Sequence, residues 1–283
     1  MNIGDKFSFY ILSIFDKKIK SFSIILILYH FLYIFVYLCL KYYIKMLRYI
    51  NERWRCKNMK LITWDIDSGG KNNIYDILDK INKEDCDIAV ITGFRLNHNK
   101  NIILKGLRDI GYANLLYKKP FNSHQDTVLI ASREGFDVIK NNSFKKDSFL
   151  IIKVNDLFIA SMNFTNSITQ KDLMNLFAEE LNEFKDKKLI VTGNMQTAKN
   201  YATENSLGKK QCKKYMDFKV LGLNNCMENS NIYTWDSRKG GEYNVDFILA
   251  NDEVLKESIY CYYNSDVKDS KISTHCMIIT NIY

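Results

Sequence analysis

Proline is all but missing from this sequence: Pro120 is the only one among 283 residues. Lys, Asn and Ile are abundant, as in proteins from AT-rich genomes. Neither the missing proline nor the pI of 8.9 is therefore a functional signal. Paired cysteines are missing as well. The seven cysteines are Cys39, Cys56, Cys86, Cys212, Cys226, Cys261 and Cys276. They are odd in number, none has CxxC spacing, and most sit in apolar runs. This argues against a disulfide framework and a zinc site and describes scattered buried or free thiols in a reducing compartment. Most of the chain also lacks net charge. Residues 1–58 carry ten Lys/Arg and three Asp/Glu, a net of +7, whereas the remaining 225 carry 30 and 29. The basic character belongs to the N-terminal segment, and the rest gives no positive sign of a basic groove. No internal repeat is visible.

What is present begins with a long apolar run. Residues 22–40, FSIILILYHFLYIFVYLCL, hold no formal charge apart from His30, and 19 residues are enough to cross a bilayer core as a helix. Tyr29, Tyr33 and Tyr37 recur every four residues, and Tyr42 and Tyr43 stand where an interfacial belt would be. The run is too long for a secretory signal peptide, and no small-residue cleavage site follows it. The expectation is an uncleaved single-pass anchor. The basic flank at Lys41, Lys45, Arg48, Arg53, Arg55 and Lys57 forms a juxtamembrane linker that favours a cytoplasmic domain. Met59 is itself a plausible initiator, so residues 1–58 also read as an upstream addition to a domain at 59–283.

With 47% hydrophobic residues, the segment 59–283 can bury a sizeable core. Strand-like and helical patterns alternate along it. Strands are expected at 60–64, 87–92, 113–117, 127–132, 149–154, 157–164, 188–192, 232–235, 244–250, 258–263 and 276–282. Asn155-Asp156 is a hairpin turn. Helices are expected at 73–83, 102–110, 171–184 and 209–221; the first carries Ile74, Ile77, Leu78 and Ile81 on one face. Paired strands with helices between them imply an α/β fold: a four-layer sandwich of two mixed β-sheets flanked by helices, preceded by the N-terminal hydrophobic helix.

Five blocks stand in a recognisable order: KLITWDID at 60–67, DIAVITGFRL at 87–96, LIVTGNMQ at 189–196, YTWDSRKGGEYNVDFILA at 233–250 and STHCM at 273–277. Together they resemble the endonuclease/exonuclease/phosphatase superfamily, in its exonuclease III-like AP endonuclease branch. The matching family blocks read W-N-V-N, L-Q-E-T-K-L, G-D-F-N, R-I-D-Y-I-L and S-D-H-C-P. The resemblance implies phosphodiester hydrolysis assisted by Mg²⁺, with oxygen ligands for the metal, a group that activates water, and an imidazole oriented by a carboxylate.

Residue by residue, the resemblance is incomplete. Asp246 and His275 match the family's Asp and His. Asp67 matches a family Asn/Asp, and Asp65 replaces an Asn. The family's metal-binding Glu falls on Gly93, the Asp and Asn of G-D-F-N fall on Asn194 and Gln196, and the Asp of S-D-H falls on Thr274. The candidate catalytic residues are thus His275, Asp246, Asn194 and Gln196, with Asp65 and Asp67 as candidate metal ligands. An amide cannot accept a proton near neutral pH, and each lost acid or base removes a factor of roughly 10²–10⁴. The expectation is a membrane-anchored protein that keeps the fold as a binding module. The alternative is an active Mg²⁺-dependent phosphodiesterase with a rearranged site, acting on nucleic acid or phospholipid.

Overall fold

The computed structural model describes residues 30, 32–46, 58–120, 122–144, 147–163, 170–195, 221–227, 232–237 and 241–283. The chain divides into two compact units, Met1–Cys56 and Lys57–Tyr283. In the first, residues 32–46 are helical and expose Leu32, Tyr33, Phe35 and Tyr37. Of the apolar run at 22–40, residues 22–29 and 31 lie outside the described residues. Among the described residues no helix is long and apolar enough to cross a membrane.

In the second unit, β1 (Met59–Asp65), β2 (Ile88–Phe94), β3 (Asn114–Tyr117), β4 (Thr127–Ser132), β13 (Ile259–Asn264) and β14 (Met277–Ile282) form one sheet. Its order is β13-β14-β1-β2-β4-β3. A second sheet joins β5 (Asp137–Phe144), β6 (Asp147–Val154), β7 (Leu157–Asn163), β8 (Lys188–Asn194), β12 (Asp246–Ala250) and β9 (Asn224–Asn225) in the order β5-β6-β7-β8-β12-β9. Both sheets are mixed, because β1–β2 and β7–β8 pair in parallel and the remaining ladders are antiparallel. A two-stranded ribbon, β10 (Trp235–Asp236) with β11 (Glu242–Tyr243), joins neither ladder but is bridged at Trp235 to His275, just before β14.

Successive strand residues point to opposite faces, and that alternation makes the layers. Ile62 and Trp64 of β1 join Ile77 and Ile81 of α1 (Ile74–Glu84) and Ile103 and Leu107 of α2 (Lys100–Asp109) in one outer core. On the other outer face, Phe177 and Leu181 of α3 (Gln170–Asn182) pack on Phe149, Val191 and Phe247. Leu61, Ile88, Val90, Ile190, Ile248 and Ile278 fill the space between the sheets. The result is the expected helix–sheet–sheet–helix sandwich.

The same alternation positions the site. Toward one end, the inner faces turn polar in step: Leu61–Thr63–Asp65 on β1, Ile88–Val90–Thr92 on β2, Ile190–Thr192–Asn194 on β8 and Ala250–Ile248–Asp246 on β12. Thr63 and Thr192 hydrogen-bond across the gap through their hydroxyls. That contact is the floor of the site.

Some elements differ from the sequence pattern. Residues 137–144 form β5, where no strand is expected. DVIKNNSF has no apolar alternation because β5 is an edge strand, held by its ladder to β6 alone. The short helices α4 (Asp252–Leu255) and α5 (Asp266–Asp269) are likewise too brief to leave a periodic signal. The helix expected at 209–221 lies almost wholly outside the described residues.

Phe177 is fully buried against Phe149, with ring centroids 4.9 Å apart. Phe177→Ala is expected to remove about 3–5 kcal/mol of stability, read as a lower urea midpoint with an unchanged slope.

Candidate functional site

β1 and β2 run side by side, with Asp65 in register with Thr92. Immediately beyond, β2 carries a bulge against β4, its register slipping between Ile91 and Phe94. Gly93 lies in that bulge at φ +67, a left-handed conformation that favours glycine. Space imposes a second requirement. A Cβ on residue 93 would come within 2.3 Å of Asp65 Oδ1 and 3.1 Å of its Cγ. The carboxylate of Asp65 therefore fills the room that a side chain at 93 would need. The Asp65 carboxylate and a side chain at 93 thus compete for one space.

Asp65 is buried and well supplied with donors. Its Oδ2 accepts hydrogen bonds from Thr92 Oγ1 at 3.1 Å and Asn194 Nδ2 at 2.9 Å, and its Oδ1 accepts from the Asp67 backbone N–H at 2.9 Å. Asn194 reaches it because Asn194 pairs in register with Asp246 on one side and Asn163 on the other. Asn163, Asn194 and Asp246 form a buried polar row across the second sheet. Asn163 was not legible as a site residue, since no charge or motif distinguishes it in SMNF.

Asp246 Oδ2 lies 2.7 Å from His275 Nδ1, with both residues buried. Among the described residues, Asp246 Oδ1 is buried with no partner within hydrogen-bond geometry, although the Thr234 side chain also acts on this carboxylate. The strand end at Asp246 is pinned by Thr234 Oγ1, which accepts the backbone N–H groups of Val245 and Asp246 at 3.0 and 3.1 Å. The 273–276 stretch is fastened from several sides. Ser273 Oγ donates to Asp65 O at 2.7 Å, Trp64 Nε1 donates to His275 O at 3.2 Å, and Cys276 N–H bonds to Thr234 O at 2.7 Å. The Trp235 ring stacks on His275, with centroids 5.8 Å apart.

Burial alone would lower the His275 pKa. The charges of Asp246, Asp65 and Asp67 outweigh it and raise the pKa to about 9. Burial pushes Asp246 upward, opposed by His275. Asp67 stands in a separate setting. Burial would raise it, but the Thr274 N–H at 2.7 Å, His275, Lys71 and the Thr274 hydroxyl at 3.0 Å together lower it. Lys71 Nζ lies 3.3 Å from its Oδ2.

The structure thus brings Asp65, Asn194, Asp246 and His275 together. Asp67 contributes its backbone to that cluster, while its carboxylate is turned to Thr274 and Lys71. Gln196 lies outside the described residues. Thr274, where the resemblance expects an acid, caps Asp67. Thr92 and Ser273 had no signal beyond being hydroxyls beside site residues.

Asp65, Asp246 and His275 form a group that could hold a metal ion, each offering one ligand atom within 4.8 Å of the others. They fit Mg²⁺ poorly. Mg²⁺ takes oxygen ligands in near-octahedral array, whereas the third member here is an imidazole nitrogen, and three donors leave Asp65 about one lone-pair site.

No sequence family matches this chain, and no curated protein matches it by sequence. Solved structures do. An AP endonuclease from Archaeoglobus fulgidus superposes with a TM-score of 0.65 at 16% identity, covering 78% of this chain and 98% of that one. The 3' phosphatase NExo from Neisseria, bound to a product DNA hairpin, gives 0.64 at 17% identity, covering 80% and 99%. Truncated TDP2 from Caenorhabditis elegans gives 0.58 at 11%, covering 80% and 97%.

Two predictions follow from the geometry. Gly93→Ala is expected to destabilise the chain by about 1–3 kcal/mol, through left-handed strain and the collision with Asp65. Combined with Asp65→Ala, the loss should fall short of the sum by more than about 0.5 kcal/mol in denaturant unfolding; strict additivity would show that the two positions do not share space. His275 holds its proton more tightly in the folded chain than its ordinary value of 6.5. Its contribution to stability is therefore full below that pH and lost as pH rises through about 9. In Asp246→Asn, the imidazole resonances should titrate at lower pH than in the parent chain.

With the layers, the strand order and the superpositions in agreement, the chain has the fold of the endonuclease/exonuclease/phosphatase superfamily.

Proposed function

We propose that this protein keeps the phosphodiesterase fold as a recognition module and has given up metal-assisted hydrolysis. The observation that carries the reading is the placement of Asp65. Its carboxylate takes the volume beside Gly93 and accepts hydrogen bonds from Thr92, Asn194 and the Asp67 N–H. With three donors on its two oxygens, Asp65 keeps about one lone-pair site for a cation. Asn194 stands where a water-activating carboxylate is required, and an amide cannot fill that role.

The ligand class that suits the cleft is a phosphate-bearing molecule. The Archaeoglobus and Neisseria proteins, an AP endonuclease and a phosphatase bound to a DNA hairpin, make nucleic acid the first candidate and other phosphodiesters the second. The protein is further proposed to be held at a membrane by residues 22–40, with the domain on the cytoplasmic side. The uncharged length of that run and the basic residues after it support this reading.

One observation favours an active Mg²⁺-dependent phosphodiesterase instead: the ligand atoms of Asp65, Asp246 and His275 converge. Calorimetric titration of the purified chain with Mg²⁺, beside Asp65→Ala, separates the two. The recognition reading expects no saturable binding up to tens of millimolar and no cleavage of abasic or single-stranded DNA. Millimolar or tighter binding that disappears in Asp65→Ala would overturn it.

A further inference from the structure

Asn163 is the last residue of β7, level with the strand ends that form the site. The strand alternates. Phe158, Ala160 and Met162 pack in the outer core with α3, and Leu157 and Ile159 pack between the sheets. Ser161 and Asn163 therefore face inward, toward the first sheet. Asn163 pairs in register with Asn194 on β8, and Asn194 pairs with Asp246 on β12. The Asn163 amide is thus one strand away from the amide that holds Asp65.

Its neighbours in this row are engaged. Asn194 Nδ2 donates to Asp65 Oδ2 at 2.9 Å, and Asp246 Oδ2 lies 2.7 Å from His275 Nδ1. Asn163 differs: it is only 3% exposed, and its Nδ2 is buried with no hydrogen-bond partner among the described residues. Buried amide donors nearly always have a partner, and one withdrawn from water without a partner opposes folding. The acids of the cleft do not meet it. Asp65 is held by Thr92, Asn194 and the Asp67 N–H, and Asp246 lies beyond Asn194. An acceptor that enters the cleft would meet it, and an anionic oxygen makes the stronger bond. Ser161 is the contrast. Its Oγ is also buried without a partner. It pairs in register with Leu150 and Thr192, however, level with the Thr63–Thr192 contact that floors the site rather than above it.

We propose that Asn163 is a ligand-binding residue of the cleft, donating its Nδ2–H to a phosphate oxygen of the molecule recognised there. The inference rests on the recognition reading and names a residue that carries it. It gives the amide two opposite effects. In the chain alone the unmet donor opposes folding, and in the complex the same donor contributes a charge-assisted hydrogen bond. A purely structural asparagine would do the reverse: its loss would weaken the fold and leave binding alone.

The test uses the full chain with two probes added separately, inorganic phosphate and a short oligothymidylate, which distinguish a free phosphate from a phosphodiester. Calorimetric titration of the parent is expected to show saturable binding of at least one probe, with a rise in Tm. For that probe, Asn163→Ala should raise Kd about tenfold or more, while its Tm without probe equals or exceeds the parent's. Asn163→Ser, which keeps a donor, should recover part of the affinity, and Ser161→Ala should leave Kd unchanged. In the isotope-labelled parent, the Asn163 side-chain amide signals should move in NMR spectra when the probe is added. Equal Kd in the parent and Asn163→Ala, or unmoved amide signals, would overturn the assignment and leave the recognition reading standing. A probe-free Tm several degrees below the parent's in Asn163→Ala would also overturn it, by showing that the amide serves the fold. No binding of either probe by the parent would remove the recognition reading and this assignment with it.

Discussion

One small volume, at the point where β1 and β2 end side by side, governs the site. It can hold a side chain from residue 93 or the carboxylate of Asp65, but not both, because a Cβ at 93 would come within 2.3 Å of Asp65 Oδ1. Glycine at the bulge yields the space, and a strand-end acid enters it. Once there, Asp65 is met by a hydroxyl from the same sheet and an amide from the facing one. The two sheets are thereby joined at the mouth of the sandwich, above the contact between Thr63 and Thr192. A buried carboxylate is tolerated only when donors surround it, and here the donors are Thr92, Asn194 and the Asp67 N–H.

Charge follows the same logic. Asp65, Asp67 and Asp246 all act on His275, which answers them as an imidazolium. Lys71 and the Thr274 N–H further occupy Asp67. A cleft whose carboxylates are compensated by its own cations and donors makes a weaker demand for a metal than one with bare acids. The fold has no need of the chemistry to survive: its stability lies in three apolar layers, and the polar cluster sits at their end. That separation of scaffold from site lets the architecture persist at 11–17% identity to the solved structures.

Much of this was legible in the amino-acid order. The short apolar runs of β1, β2, β8 and β12 and the 3.6-residue spacing of Ile74, Ile77, Leu78 and Ile81 mark the elements, because a strand buried on both faces is apolar throughout and a helix buried on one face carries its period. The Asp246–His275 pair was legible from short blocks in sequence order. The edge strand β5 and the helices α4 and α5 were not. An edge strand is held by its ladder rather than by a patterned face, and a single helical turn is too short to have a period.

What the sequence by itself determined is the layered α/β sandwich and the identity of the residues at the site: an acid at 65, a glycine at 93, an amide at 194. What only the tertiary structure decided is that Asp65 and a side chain at 93 would compete for one space, that Asn194 reaches Asp65, and that Asp67 turns to Thr274 rather than joining Asp65. The reason is distance along the chain. Periodicity reports which face a residue is on, but residues as far apart as 65 and 194 meet only through the register of two sheets. Register is fixed by packing across the sandwich, not by any local run of residues.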